Sequence, residues 1–190
     1  MKLGNDAESW GLVQRLLHWA TAAIILFLLA VGVYMANFED DLFARFALTQ
    51  THKSWGVVVF ALGLLRLGWR LANPAEPSPP AGTKTWEAAA ARLTHVGFYA
   101  LMIWMPVSGW LMASASTLQD DYGVKNMVFG LFELPDPFVP GDLALETALK
   151  TAHIAGAVAL GSLLSLHVGA ALKHHFVLRD AVLRRMSWGR

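Results

Sequence analysis

The chain has 190 residues, of which 55% are hydrophobic and 15% are charged, and its mean hydropathy is +0.44. This balance excludes an ordinary soluble domain, and with a formal net charge of +1 we expect no nucleic-acid partner. Cysteine is absent, which excludes disulfides, thiolate metal sites and thiol catalysis. The seven histidines are therefore the candidates for any metal chemistry.

Four apolar runs predict membrane-spanning helices, because each is close to the roughly 20 residues that cross a bilayer. The predicted helices cover about 16–36, 52–70, 94–115 and 152–173. The first run also resembles a signal peptide, but cleavage after Ala36 would put Tyr34 where a small side chain is needed. We therefore predict an all-α membrane protein, a four-helix bundle forming a single domain over residues 1–190.

Three polar segments separate the runs: "NFEDDLFARFALTQT", the proline-rich "ANPAEPSPPAGTKTWEAAAAR" and a long segment from Thr117 to Lys150. Eleven of the fifteen basic residues lie at the two termini, in the second loop and in their flanks, as far as Arg190. Nine of the fourteen acids lie in the first and third loops. Since basic residues stay on the cytoplasmic side, both termini are predicted to be cytoplasmic, in a bacterial inner membrane.

The histidines can then be placed by depth. His18 and His95 open their helices on the predicted cytoplasmic side, whereas His52 and His153 open theirs on the external side. His167 follows His153 by fourteen positions, a rise of about 21 Å on nearly the same helix face. His52 is therefore level with His153, and His18 is level with His167.

Two pairs of imidazoles, each pair shared between different helices, are the arrangement that six-coordinate haem iron needs in a protein without thiolates. Glycines near the rings, such as Gly56, Gly156 and Gly169, would give a flat macrocycle clearance, although small residues also serve ordinary helix packing. Zinc is the main competing metal, but it prefers closed four-coordinate sites. A histidine taken singly also fits a hydrogen-bonded packing role.

Five segments carry a resemblance to the bacterial cytochrome b561 family. These are "VQRLLHW", "THKSWG", "MPVSGWLM", "LKTAHIAG" and "LHVGAALKHHF", which occur in order between about Val13 and Arg185. The resemblance implies a four-helix cytochrome with two haem b groups that exchanges electrons with membrane quinone, expected to be ubiquinone. In one branch of the family the activity is oxidation of superoxide with ubiquinone as acceptor. The long acidic external loop departs from a surface that attracts superoxide.

The family pattern assigns His52 and His153 to an external haem, and His18 and His167 to a cytoplasmic one. His95 remains a rival ligand at the cytoplasmic level. Because ligating rings donate their other N–H to a neighbour, Thr51, Ser54 and Ser165 are candidate partners, although such hydroxyls also bond back to their own helix.

Haem propionates need cationic neighbours at the membrane boundary. Arg15, Arg66, Arg70 and Lys173 are the candidates for the cytoplasmic haem, with Arg15 preferred because it lies one turn before His18. Lys53 and Arg45 are the candidates for the external haem. The same charges also fit a role in setting topology.

The sequence does not fix the position or side of the quinone site; at the cytoplasmic boundary His174 is the first candidate, because it lies about two turns beyond His167. Trp19, Trp69, Trp86 and His175 lie at the same boundary, where an aromatic belt has the same appearance. The electron donor is expected to be a small one-electron reductant or a partner enzyme. Two alternatives remain: a membrane-anchor cytochrome subunit of a hydrogenase or dehydrogenase, and a haem-free histidine-lined metal transporter.

Overall fold

The computed structural model describes residues 2–80 and 82–187, so Arg190 of the basic carboxyl-terminal set lies outside the described residues. Its four long helices are α1 (Leu12–Asn37), α2 (Leu42–Ala72), α3 (Thr85–Ser114) and α5 (Leu143–Leu172). A π-helical turn, Lys173–Leu178, continues α5. All four are long and apolar enough to cross a membrane, which confirms the predicted fold class of a four-helix membrane bundle.

The third loop carries most of the remaining regular structure. It contains the short helix α4 (Thr117–Tyr122) and an antiparallel pair of strands, β1 (Met127–Val128) and β2 (Phe132–Glu133). After the π-helical turn, α6 (Val182–Met186) lies near the start of α1, where Trp19 Nε1 donates to the Met186 carbonyl at 2.8 Å. The loop and α6 thus cover opposite ends of the bundle.

Helices α2 and α5 begin at Leu42 and Leu143, inside segments that the sequence analysis interpreted as loops. That interpretation is wrong for these stretches. The Asp41 side chain accepts from the Ala44 N–H at 2.7 Å, and the Asp142 side chain accepts from the Leu145 N–H at 2.9 Å. Such aspartate caps start a helix in polar sequence, whereas hydropathy reports only the part of a helix that contacts lipid.

Residues seven positions apart on each helix fall into three layers along the bundle. The middle layer is the buried apolar cluster of Ile25, Val59, Met102 and Leu160. Seven positions away on one side lie Gly32, His52, Gly109 and His153, which we call the external layer after its predicted side. Seven positions away on the other side lie His18, Arg66, His95 and His167, which we call the cytoplasmic layer. This spacing is typical of helices packed at small crossing angles.

The closest helix packing is between α1 and α2, α2 and α3, and α3 and α5. Within the described part of the chain, α5 makes no comparable backbone contact with α1 or α2. Helix α5, which carries His153 and His167, therefore lies apart from α2, which carries His52, and from α1, which carries His18. Outward-facing side chains such as Leu26, Leu65 and Val158 remain more than half exposed, as expected for surfaces that contact lipid.

Candidate functional site

The external layer brings two histidine rings together. The ring centroids of His52 and His153 are 6.4 Å apart, and the ring planes are inclined by 73°. Glycines lie against both rings: a Cβ on Gly109 would lie 3.2 Å from His153 Cε1, and one on Gly32 would lie 3.4 Å from His52 Cε1. A side chain at Gly109 or Gly32 would therefore crowd the neighbouring histidine ring.

Ser108 fixes the orientation of the His153 ring. Its hydroxyl oxygen lies 2.9 Å from His153 Nδ1 and 3.1 Å from the Met105 carbonyl oxygen, and the side chain is fully buried. Sequence reasoning missed this residue. The available signal was the Ser108-Gly109 pair of small residues in α3 at the depth of His153.

The predicted hydroxyl partners do not contact a histidine. Thr51 donates to the Ala47 carbonyl and Ser165 to the Gly161 carbonyl, while Ser54 donates to the Gln50 carbonyl and accepts from the Phe129 N–H. Those partner assignments are wrong because each hydroxyl reaches the carbonyl one turn earlier in its own helix.

The cytoplasmic layer brings three histidines together. The ring centroid of His167 lies 6.3 Å from that of His18 and 6.2 Å from that of His95. Phe98 packs edge-on against His167 at 5.3 Å. Distance alone therefore leaves His18 and His95 as equal candidates to pair with His167.

Arg66 lies within this histidine cluster. Its Nη2 is 3.3 Å from His18 Nδ1, and its guanidinium carbon is 5.9 Å from the centroid of the Tyr99 ring. A guanidinium only donates, so His18 Nδ1 is the acceptor in this contact. Among the described residues, no carboxylate lies within ion-pair distance of Arg66. A buried cation in this position needs an anion.

Both histidine pairs fit axial ligation of a haem. Metal–imidazole bonds are about 2 Å long, and a five-membered ring with bonds of about 1.3–1.5 Å has a radius of roughly 1.1 Å. Two imidazoles on opposite sides of a metal therefore have centroids about 6 Å apart, close to the 6.3 Å and 6.4 Å found. The separation of α5 from α1 and α2 leaves room for a flat group between the paired rings.

Unpartnered polar atoms also gather near the two layers. In residues 2–80 and 82–187, eight buried side-chain atoms have no hydrogen-bond partner. Those near the cytoplasmic layer belong to Gln14, Arg15, Arg66, Trp69 and Arg70, and those near the external layer belong to Gln50, His52 and Trp110. Buried polar atoms are normally paired, so these are the places where a polar ligand group fits.

Most of the predicted propionate neighbours already have protein partners. Arg15 Nη1 donates to the Ser187 carbonyl at 3.0 Å, Arg70 pairs with Glu76, and Lys173 Nζ lies 3.7 Å from Glu87. Arg45 donates to the Glu39 carbonyl. Arg66 is the candidate cation that contacts a histidine.

Lys53, the other predicted external cation, is turned toward the third loop. Its Nζ donates to Asn126 Oδ1 at 2.9 Å, and the Asn126 amide donates to Ser114 Oγ and to Asp136 Oδ1. Gln119 adds a second bond to Asp136 at 3.1 Å. This buried network attaches the loop to the end of α2 beside His52.

His174 lies in a cavity of about 550 Å³ that Lys84, Glu87, Lys173 and Asp180 also line. Its Nδ1 is 2.5 Å from Asp180 Oδ2. Partial burial opposes ionisation of Asp180, but the hydrogen bonds from His174 and the Val182 N–H outweigh it and hold the pKa of this carboxyl below its usual value. The cavity joins a histidine–carboxylate pair to two lysines at the end of the bundle.

The chain is similar to known proteins over nearly its whole length. A model of the family described as prokaryotic cytochrome b561 matches residues 9–189. The chain is 28% identical to cytochrome b561 homolog 2 of Escherichia coli over 98% of its own length and 95% of the relative's. It is also 28% identical to homolog 1 of the same organism, covering 91% of this chain and 93% of that protein.

A third relative, the probable superoxide oxidase CybB of Yersinia pestis, is 25% identical over 94% of this chain and 96% of its own. The match to the family model spans nearly all of the four-helix bundle and both histidine layers. The chain therefore belongs to the prokaryotic cytochrome b561 family of membrane electron-transfer proteins, for which b-type haem is the implied cofactor.

Proposed function

We propose that this chain is a transmembrane cytochrome with two haem b groups, which carries electrons between an external donor and membrane ubiquinone. His52 and His153 hold one haem, and His18 and His167 hold the other. The observation that carries the proposal is the pair of ring separations, 6.4 Å and 6.3 Å, at opposite ends of one bundle. We place both termini in the cytoplasm and the bundle in the bacterial inner membrane.

When bound, the haems supply reversible one-electron chemistry. Two histidines would hold each haem iron, and with both of these side chains bound the chemistry available would be electron transfer. The apolar middle layer of Ile25, Val59, Met102 and Leu160 keeps water out between the two histidine layers. The protein thereby sets the spacing and surroundings of the haems.

Quinone reduction at the cytoplasmic boundary needs two electrons and two protons for each quinone. The His174–Asp180 pair fits the proton delivery, because Asp180 engages Nδ1 and leaves Nε2 free to reach a quinone oxygen. Lys84 and Lys173 line the same cavity and favour negative charge on a reduced ring. We infer that this cavity takes the quinone head group.

The first test is a haem count. The pyridine haemochrome assay should give about two haems per purified chain, and acid solvent should release both intact, since the chain has no cysteine to hold them covalently. A count near one would reject one histidine pair. A count near zero would favour the haem-free transporter, whereas co-purification of a large enzyme would favour the membrane-anchor subunit.

Superoxide is the first donor to test, because one relative is named a probable superoxide oxidase. In the balanced reaction, two superoxide ions give two electrons to one ubiquinone, which takes up two protons, and two O₂ are released. Three of the four predicted external cations are engaged: Lys53 with Asn126, Lys125 with Glu133 and Arg45 with Glu39. We expect this acidic face to repel the anion.

Stopped-flow haem reduction by pulsed superoxide tests this donor, with ubiquinone present and absent. The rate should rise with ionic strength, because salt screens the repulsion. Reduction slower than spontaneous dismutation at every ionic strength would reject superoxide and leave a quinone-linked electron carrier.

A further inference from the structure

The two histidine layers have different partners beside the rings. At the external layer, the His153 ring contacts a neutral hydroxyl, Ser108. At the cytoplasmic layer, the His18 ring contacts a cation, Arg66. We propose that this difference gives the external haem the lower midpoint potential, so that electrons run from the external to the cytoplasmic side. The proposal rests on the haem ligation proposed above.

The external contact makes His153 a more basic ligand. Ligation through Nε2, as proposed above, leaves the ring hydrogen of His153 on Nδ1, so the single hydroxyl hydrogen of Ser108 points instead to the Met105 carbonyl 3.1 Å away. Ser108 Oγ therefore accepts from the Nδ1–H of His153 at 2.9 Å. This tautomer leaves the Nε2 lone pair free for iron.

A ligating imidazole that donates its other N–H becomes more electron-rich. An electron-rich ligand stabilises ferric iron more than ferrous iron, which lowers the midpoint potential. Ser108 is fully buried, so water does not compete for this hydrogen bond. Lys53 is the charged residue nearest in sequence to His52, and its amine donates to Asn126 Oδ1.

The cytoplasmic layer acts in the opposite direction, through charge. Ligation of iron by His18 Nε2 would leave the ring hydrogen on Nδ1, so Arg66, which only donates, would turn from Nδ1 toward a propionate in the same layer. Its positive charge has no carboxylate partner among the described residues and favours the ferrous state, which carries one positive charge fewer. This charge raises the potential of the cytoplasmic haem.

The test is a spectroelectrochemical titration of the two-haem protein. Wild type should show two components. In Ser108→Ala, the component of lower potential should move to higher potential. In Arg66→Gln, the component of higher potential should move to lower potential. EPR of the ferric protein should show a changed low-spin signal for the shifted haem only, because ligand basicity changes that signal whereas a structural role alone does not.

Matched variants separate this effect from general damage. Ser54→Ala removes another buried serine hydroxyl, one that contacts no histidine, and should leave both potentials unchanged. Ser108→Cys keeps a weak acceptor of similar size and should give a smaller shift than Ser108→Ala, which protects the test if the alanine variant folds poorly.

The outcomes are distinct. Two bound haems with unmoved potentials in both variants would overturn this inference and leave the proposed function intact, as would a Ser108→Ala shift to lower potential. Absence of haem from the wild-type protein would instead overturn the proposed function.

Discussion

The external and cytoplasmic layers are built at the same heptad spacing, yet their chemistry differs. The external layer combines two histidines with Gly32 and Gly109, whose missing side chains leave room beside the rings. The cytoplasmic layer combines three histidines with the guanidinium of Arg66. The helical repeat thus decides where the rings lie, whereas the residues beside the rings decide their chemical surroundings.

The largest expected effect comes from removing a ring. His52→Ala and His153→Ala should each abolish the external haem, and His18→Ala and His167→Ala the cytoplasmic haem, because neither iron keeps two axial ligands. Reduced-minus-oxidised spectra should sort the four variants into two groups. His175 is exposed and its ring packs edge-on against Phe176, so His175→Ala is the control and should retain both haems.

Substitution of His95, the third histidine of the cytoplasmic layer, tests which ring pairs with His167. If His95→Ala joins the cytoplasmic group while His18→Ala keeps both haems, His95 is the ligand that pairs with His167. Their centroids, 6.2 Å apart, permit that result.

A smaller effect is expected at the glycines of the external layer. A methyl group on Gly109 would meet His153 Cε1 at 3.2 Å, so Gly109→Ala should displace the ring and weaken external haem binding by about 1–3 kcal/mol. Gly32→Ala meets its ring at an ordinary contact of 3.4 Å and should do less. Gly68→Ala, at an exposed position with nothing within 4 Å, should be neutral. Haem retention during dialysis against apomyoglobin measures the order, and equal loss in all three would contradict it.

The loop that covers the external layer depends on Asn126. Asn126→Ala leaves the partly buried Lys53 amine and the Asp136 carboxylate without this partner, which should cost about 1–3 kcal/mol in the free energy of unfolding. Thermal loss of haem absorbance measures it. The exposed Asn37, which bonds only to the Val33 carbonyl, is the control, and Asn37→Ala should stay within about 0.5 kcal/mol of wild type. Equal destabilisation by the two substitutions would show that the network does not hold the loop.

The smallest effect concerns pH at the cytoplasmic end. Because the pKa of Asp180 is lowered from its usual 3.8 in the folded protein, its contribution to stability is present above pH 3.8 and is lost as the pH falls through the folded value. The carboxylate lies near the surface and is only partly buried, so solvent screening should keep the effect below about 1 kcal/mol. The hydrogen-exchange protection factors of residues 180–187, which correct for the intrinsic pH dependence of exchange, should fall at acid pH in wild type and change little in Asp180→Asn. A fall of the same size in both would remove Asp180 as the cause.

The amino-acid sequence alone determined the features that follow from spacing. Four apolar runs specify four membrane helices, because crossing a hydrocarbon core requires a minimum length of apolar helix. The fourteen positions between His153 and His167 place their rings on one face at two depths, because the helix repeat is fixed. Depth matching predicted which rings would pair; in the bundle His153 lies beside His52, while His167 lies at nearly the same distance from His18 and from His95.

Only the tertiary structure decided the partners of those rings. The sequence favoured Arg15 as a propionate neighbour and left Thr51 and Ser54 either beside a ring or bonded back to their helix. In the bundle Arg15 reaches the carboxyl-terminal segment and both hydroxyls bond back. Ser108 and Arg66 reach the histidines because α3 packs against α5 and α2 packs against α1, and such contacts between helices are not encoded in the repeat of any one helix. Helix periodicity is a local property of the backbone, whereas side-chain partners depend on how helices distant in sequence are rotated against one another.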